Sequence, residues 1–135
     1  MTSGMLRAEQ TLYVLFGERE HTSDDRFREI DFGVFEMLGY EELKARPDYQ
    51  EWISGDNEMN VPPAGESGEQ MKKRVFEGLR DIRSKQEDVV LITHGGVIAV
   101  IMDKLFPEEE KSRYAWQPLP GKGYLITEEG YQAIE

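Results

Sequence analysis

The sequence predicts an α/β fold, and three observations support this. An apolar, β-branched run of strand length, Val89–Thr93, is followed by a histidine, two glycines and a helical segment. The longest helical pattern, Ser67–Lys85, comes just before that run, and two short strand patterns lie near the end of the sequence. Helix, strand, helix and two strands in succession are typical of α/β proteins.

The first predicted element is a helix over Leu6–Phe16, which Gly17 ends. Four of its residues recur at helical spacings: Leu6, Gln10, Tyr13 and Val14. The charged segment that follows, residues 18–35, is broken by Gly33 and is predicted to be a loop or a short extended stretch.

Two further helices are predicted before the strand. Tyr40–Lys44 is a candidate short helix that ends before Pro47, and residues 56–65 are predicted to form a loop. Ser67–Lys85 begins with a capping-box pattern, in which Gln70 follows Ser67 by three residues. Its apolar stripe is formed by Met71, Val75, Leu79 and Ile82.

The C-terminal elements follow the strand Val89–Thr93. Val97–Phe106 is predicted to be a helix, which Pro107 ends. Residues 123–127 and 131–134 are predicted to pair as a hairpin around the turn Glu128-Glu129-Gly130.

Composition limits the class of protein. With 135 residues the chain is expected to be one domain, and 39% hydrophobic and 32% charged residues are typical of a globular protein. No apolar run approaches the ~20 residues that cross a bilayer, and no signal-peptide pattern is visible. The absence of cysteine excludes disulfides and thiolate metal sites and fits a cytoplasmic location.

The formal net charge of −11 predicts that the chain does not bind nucleic acid or an anionic membrane. It does not exclude a small phosphorylated ligand, because the field in a pocket depends on a few groups close to it. With two histidines and no cysteine, we expect no metal site and no cofactor.

His94 is the first candidate for chemistry. The pattern places its imidazole at the carboxyl end of a buried strand, beside the amide groups of a helix start, where anions bind favourably. His94 could act as a nucleophile, an acid or base, or a phosphate ligand. Alternatively, it could simply hydrogen-bond a loop carbonyl.

Two charged residues are weaker candidates. Arg7 lies in the first turn of a predicted helix, where the dipole disfavours a cation unless the guanidinium grips an anion; otherwise it is a surface arginine. Glu29 is flanked by apolar residues that would disfavour its charge and suit it to proton donation. A solvated carboxylate is the alternative, and Asp31 and Glu36 compete for the same role.

The loop before the long helix offers Glu66 and Ser67. Either could reach an anion or its leaving group. For Ser67, a role as helix cap is favoured over a role in binding.

Four patches, in this order, resemble the histidine phosphatase superfamily, the phosphoglycerate-mutase-like group. They are Ser3 to Thr11 (serine-x-x-x-arginine-alanine-x-x-threonine), Glu29 to Gly33, Pro63 to Ser67 with Ala64 inserted before the glycine, and His94 to Gly96. The segment Trp116 to Tyr124 is also similar to the family.

The resemblance implies a three-layer α-β-α fold with a mostly parallel sheet, over one domain of residues 1–135. It implies that Arg7 binds phosphate and that Glu29 donates a proton to the leaving oxygen. His94 would be the second histidine of the site, stabilising the transferring phosphoryl group, and Gly95 would lend backbone donors.

The sequence departs from the family pattern at one point. It contains no arginine-histidine-glycine, the motif whose histidine takes the phosphoryl group, and His21 is not assigned to that role. We therefore expect the fold to lack its N-terminal strand. The function implied is a phosphomonoester hydrolase, or a mutase-like enzyme, without its nucleophile in this chain. The alternative is an inactive module of the same fold that binds a phosphorylated ligand or a protein, and a homodimer is one option for its assembly.

Overall fold

Within residues 1–36, 38–54 and 59–134, which the computed structural model describes, the chain forms six α-helices and one antiparallel strand pair. The elements are α1 (Leu6–Phe16), α2 (Tyr40–Leu43), α3 (Pro47–Ile53), α4 (Gly68–Ser84), α5 (Gly95–Leu105), α6 (Arg113–Trp116), β1 (Gly123–Thr127) and β2 (Gly130–Ile134). Residues 56–58 of the predicted loop lie outside the described residues.

The chain divides into two compact units. One comprises Met1–Glu29 with Val75–Glu135, and the other comprises Ile30–Arg74. A single domain over residues 1–135 stays a prediction.

Helix α1 has the predicted bounds, and its buried residues are not those whose spacing helped to predict it. It ends at Gly17, which has φ +74° and donates its N–H to the Tyr13 carbonyl at 2.8 Å. Ala8 and Leu12 are the buried residues and cluster with Ile92. Leu6, Tyr13 and Val14, whose spacing helped to predict the helix, are 65–80% exposed. The packing partner lies along the Ala8–Leu12 edge instead.

Helix α4 confirms the predicted capping box. The Ser67 N–H donates to Gln70 Oε1 at 2.8 Å, and the Gln70 N–H donates to Ser67 Oγ at 3.1 Å. Met71 and Val75 are fully buried. Further along, the ring of Phe27 lies so close that a Cβ at Gly78 would be 2.7 Å from it.

The predicted strand Val89–Thr93 is an extended segment with one bridge and not a regular strand. Ile92 forms a parallel bridge with Thr2, and Thr2 forms a second parallel bridge with Ser23. Val89 and Val90 are 38% and 59% exposed, so the expectation of a buried strand was wrong for these two residues. In the described part of the chain, parallel pairing is limited to these two bridges.

The C-terminal hairpin is confirmed. β1 and β2 pair antiparallel with Gly123 opposite Ile134 and Thr127 opposite Gly130. Beside it, the fully buried Trp116 packs against Phe106, Tyr124 and Tyr131, and the Tyr124 hydroxyl donates to the Trp116 carbonyl at 2.7 Å. The family-like segment that begins at Trp116 is therefore part of a packed aromatic cluster.

The unit Ile30–Arg74 has its own aromatic cluster. The rings of Phe32, Phe35, Tyr49 and Trp52 meet at centroid distances of 5.5–6.0 Å. The short helix α2 was predicted, whereas α3, which begins at Pro47, was not. No helix among the described residues is both long enough and apolar enough to cross a membrane.

Candidate active site

The candidate site is built at the first turn of α5. His94 is the N-cap residue, in extended conformation with φ −128° and ψ 156°, and its carbonyl accepts the Ile98 N–H at 2.9 Å. The His94 side chain does not cap this helix, so it leaves the amides of the first turn to other partners. Because those amides carry the positive end of the helix dipole, the start of α5 favours an anion.

The His94 imidazole is buried, with 7% of the residue exposed. Its Nε2 lies 2.7 Å from the hydroxyl oxygen of Ser3, which is itself fully buried. Backbone bonds hold the two segments together, since the Ser3 N–H donates to the Ile92 carbonyl at 3.2 Å and the Ile92 N–H donates to the Met1 carbonyl at 2.9 Å. Ser3 was not singled out from the sequence as a site residue.

Glu29 reaches the same helix start. Its Oε2 accepts the Gly96 N–H at 3.1 Å, and the side chain is half-buried. The approach depends on glycine, because a Cβ at Gly96 would lie 2.5 Å from Glu29 Oε1. Just before His94, the Thr93 hydroxyl donates to the Phe27 carbonyl at 2.6 Å. This bond holds the segment that leads to Glu29, two residues after Phe27, beside the segment that leads to α5.

Gln117 is a further neighbour of the helix start that the sequence did not indicate. A Cβ at Gly95 would meet the Gln117 Cγ and Nε2 atoms at 2.9 Å. The amide side chain therefore lies directly against the glycine that is predicted to lend backbone donors.

Arg7 lies in the first turn of α1, four residues after Ser3, and is exposed. Among the described residues, none forms a hydrogen bond or ion pair with its guanidinium. The structure thus brings Glu29 to the start of α5, where His94 and Gly95 lie, and leaves Arg7 without a described contact to them.

The competing carboxylates have structural roles. Asp31 Oδ1 accepts the Gly33 N–H at 2.8 Å, and Glu36 Oε1 accepts the Phe32 N–H at 2.9 Å, so both stabilise a local turn. Glu66 forms an ion pair with Arg74.

The second histidine belongs to a separate polar network. His21 Nε2 lies 2.6 Å from Glu9 Oε2, and the Thr2 hydroxyl donates to Glu9 Oε1 at 2.7 Å. The hydrogen bonds to the Arg19 carbonyl and to Glu9 raise the pKa of His21. The bonds from Thr2 and His21 lower the pKa of Glu9. Both shifts favour the charged forms of the two groups.

No group of three His, Asp or Glu side chains within the described ranges is arranged to hold a metal ion. The chemistry that this arrangement can perform is binding of an anion by backbone amides, with an imidazole and a carboxyl group beside them. Such groups suit phosphoryl transfer, which depends mainly on positioning and charge neutralisation.

Known proteins resemble this chain in sequence. Phosphoglycerate mutase-like protein 4 of Arabidopsis thaliana is 31% identical over 117 residues, which are 82% of this chain and 51% of that protein. The metal-independent phosphoserine phosphatase of the same plant is 36% identical over 55 residues, which are 39% of this chain and 23% of that protein. The chain thus spans about half or less of the length of these relatives.

The fold has a solved counterpart. The alpha-ribazole phosphatase from Shigella flexneri superposes with a TM-score of 0.79 over 99% of this chain and 69% of that chain, at 19% identity. The family model of the histidine phosphatase superfamily (branch 1) matches residues 1–128. By this match, which covers nearly the whole sequence, the chain belongs to the histidine phosphatase superfamily.

Proposed function

We propose that this chain binds a phosphorylated small molecule at the start of α5 and contributes to hydrolysis of its phosphomonoester bond. The observation that carries the proposal is the convergence of His94, Gly95 and the Glu29 carboxyl at one helix start, with Glu29 Oε2 at 3.1 Å from the Gly96 nitrogen. Phosphatase names among the relatives support the reaction class.

Each residue has a distinct part in the proposed chemistry. The Gly95 amide donates to a phosphoryl oxygen, the Gly96 amide holds the Glu29 carboxyl, and the His94 imidazole stabilises the charge that develops on the phosphoryl group. Glu29 donates a proton to the leaving oxygen. The exposed Arg7 guanidinium, which has no described partner, grips the phosphate with two parallel hydrogen bonds.

A second candidate function is binding without turnover. The sequence has no arginine-histidine-glycine, and the other histidine, His21, is fixed to Glu9 and to the Arg19 carbonyl at 2.6 and 3.0 Å. These contacts favour a structural role for His21 over that of a phosphoryl acceptor. Phosphoryl transfer then requires a nucleophile from outside this chain or a water molecule.

We also propose that the extended segments around Thr2 belong to a mostly parallel sheet in a three-layer α-β-α arrangement. The two parallel bridges, with Ser23 and with Ile92, support this architecture. Such a sheet would place His94 at the carboxyl end of one of its strands.

The test is to measure vanadate binding and 4-nitrophenyl phosphate hydrolysis with the purified chain. Binding should raise the melting temperature, and His94→Asn and Arg7→Ala should each weaken vanadate binding by about tenfold, the loss of one charged contact. Arg80→Ala, which removes an exposed arginine on α4, is the matched control and should bind as the wild type does.

The two candidate functions differ in turnover. Hydrolysis that His94→Asn abolishes supports the enzyme, whereas binding without hydrolysis supports the binding module. If vanadate gives no stabilisation and Arg7→Ala changes nothing, both proposals are wrong.

A further inference from the structure

A buried hydrogen bond joins two residues that are 91 positions apart in the sequence. Ser3 Oγ and His94 Nε2 are 2.7 Å apart, and 0% of Ser3 and 7% of His94 are exposed. The contact does not depend on a flexible loop, because the backbones of residues 1–3 and 90–92 are bonded to each other, with Met1 N donating to the Val90 carbonyl at 3.0 Å. Ser3 is therefore fixed relative to the imidazole.

The hydrogen-bond capacity of Ser3 determines the direction of this bond. A hydroxyl has one proton to donate and two lone pairs to accept with. The Met5 N–H donates to Ser3 Oγ at 3.3 Å, which uses one lone pair. Among the described residues, His94 Nε2 is the acceptor available to the proton of the Ser3 hydroxyl. In neutral His94, the ring proton is therefore on Nδ1.

We propose that Ser3 is a positioning residue that sets the tautomer and the ring orientation of His94. This inference rests on the proposed function, in which His94 stabilises the phosphoryl group. With Nε2 committed to Ser3, the proton of the neutral ring is held on Nδ1. The second ring nitrogen of a functional histidine is commonly held in this way by an orienting partner.

The same distance would suit a serine nucleophile activated by a histidine base. Burial decides against that role. Ser3 has no exposed surface, so a substrate cannot reach its oxygen. The hydroxyl therefore acts on the imidazole and not on the substrate.

The experiment is ¹⁵N NMR of the intact chain with labelled histidine, since nitrogen shifts distinguish a protonated from an unprotonated ring nitrogen. The chain has two histidines, and His21→Gln assigns the signals of His94. Above the pH at which His94 loses its charge, we expect the proton on Nδ1 in the wild type. Ser3→Ala should move the ring toward a mixture of tautomers, and Ser3→Thr, which keeps the hydroxyl, should restore the wild-type shifts.

Ser84→Ala is the matched control, because it removes the hydroxyl of an exposed serine at the end of α4 and should leave both rings unchanged. Vanadate affinity should fall about tenfold in Ser3→Ala, as for loss of an orienting partner. A proton on Nε2 in the wild type, unchanged shifts in a folded Ser3→Ala, or labelling of Ser3 by a fluorophosphonate would overturn the proposal. The expected tautomer without any vanadate binding would instead leave the assignment of Ser3 standing and refute the proposed function.

Discussion

Gly33, the glycine at the end of the motif that begins with Glu29, serves backbone packing. It has φ +59°, and a Cβ there would lie 2.0 Å from the Pro63 carbonyl oxygen. Gly65 mirrors it, since its Cβ would lie 2.5 Å from the Asp31 carbonyl oxygen. The Val34 N–H and the Pro63 carbonyl are bonded at 2.8 Å across this crossing. The motif from Glu29 to Gly33 and the motif from Pro63 to Ser67 therefore each include a glycine that lets the two backbone segments come into contact.

Gly33→Ala should consequently lower the free energy of unfolding by ~3 kcal/mol or more, because two costs add: that of a left-handed backbone conformation and that of a methyl group clashing with backbone atoms. Gly121→Ala is the matched control. Gly121 has φ +81°, but nothing lies within 4 Å of the point that the alanine methyl group would occupy, so ~1 kcal/mol is expected. Urea denaturation measures the free energy of unfolding of both variants. Equal losses in the two variants would show that the backbone clash at Gly33 does not contribute.

At the scale of the element, periodicity and capping patterns predicted where helices form and end, but they did not predict which residues of α1 are buried. The bounds of α1 and the capping box of α4 could be predicted because both depend on residues within a few positions of each other. The buried face of α1 could not, since apolar residues surround most of that helix and only the contact with Ile92 selects Ala8 and Leu12. Helices α3, of seven residues, and α6, of four residues, were missed because such short segments carry little periodic signal.

The cap of α4 gives an element-scale prediction. Ser67→Ala removes the acceptor of the Gln70 N–H, so we expect a loss of ~1 kcal/mol in the free energy of unfolding. Ser84→Ala removes a hydroxyl at the other end of the same helix, where Ser84 Oγ donates to the Asp81 carbonyl, and should cost less than ~0.5 kcal/mol. Chemical denaturation measures both, and a Ser67→Ala loss no larger than that of Ser84→Ala would contradict the capping role.

At the scale of the whole molecule, the site shows what a sequence can and cannot reveal. His94, Gly95 and Glu29 were indicated by local pattern and by the order of the family motifs, and the structure brings Glu29 to the start of α5. Ser3 and Gln117 were not indicated, because their contacts with His94 and Gly95 depend on tertiary folding. A serine in a helix-leading segment has no local feature that marks it as the partner of a distant histidine.

Global stability should depend on pH through the network of Thr2, Glu9 and His21. The pKa of His21 is raised above its ordinary value of 6.5, first by its bond to the Arg19 carbonyl and then by Glu9. A base whose pKa is raised on folding stabilises the fold fully below its unfolded pKa, and this contribution is lost as the pH rises through its folded pKa. The lowered pKa of Glu9 adds stability above 4.5 that is lost on acidification.

The Met1 amine acts in the opposite sense, because burial lowers its pKa from 8.0 and stability rises as it loses its proton. The difference between the wild type and His21→Gln separates the two effects, since both chains keep the amine. We expect this difference in unfolding free energy to be largest near pH 6 and to shrink as the pH rises from 6.5 toward 8. Urea denaturation at fixed ionic strength measures it, and a difference that stays constant over this range would show that the charge on His21 does not stabilise the fold.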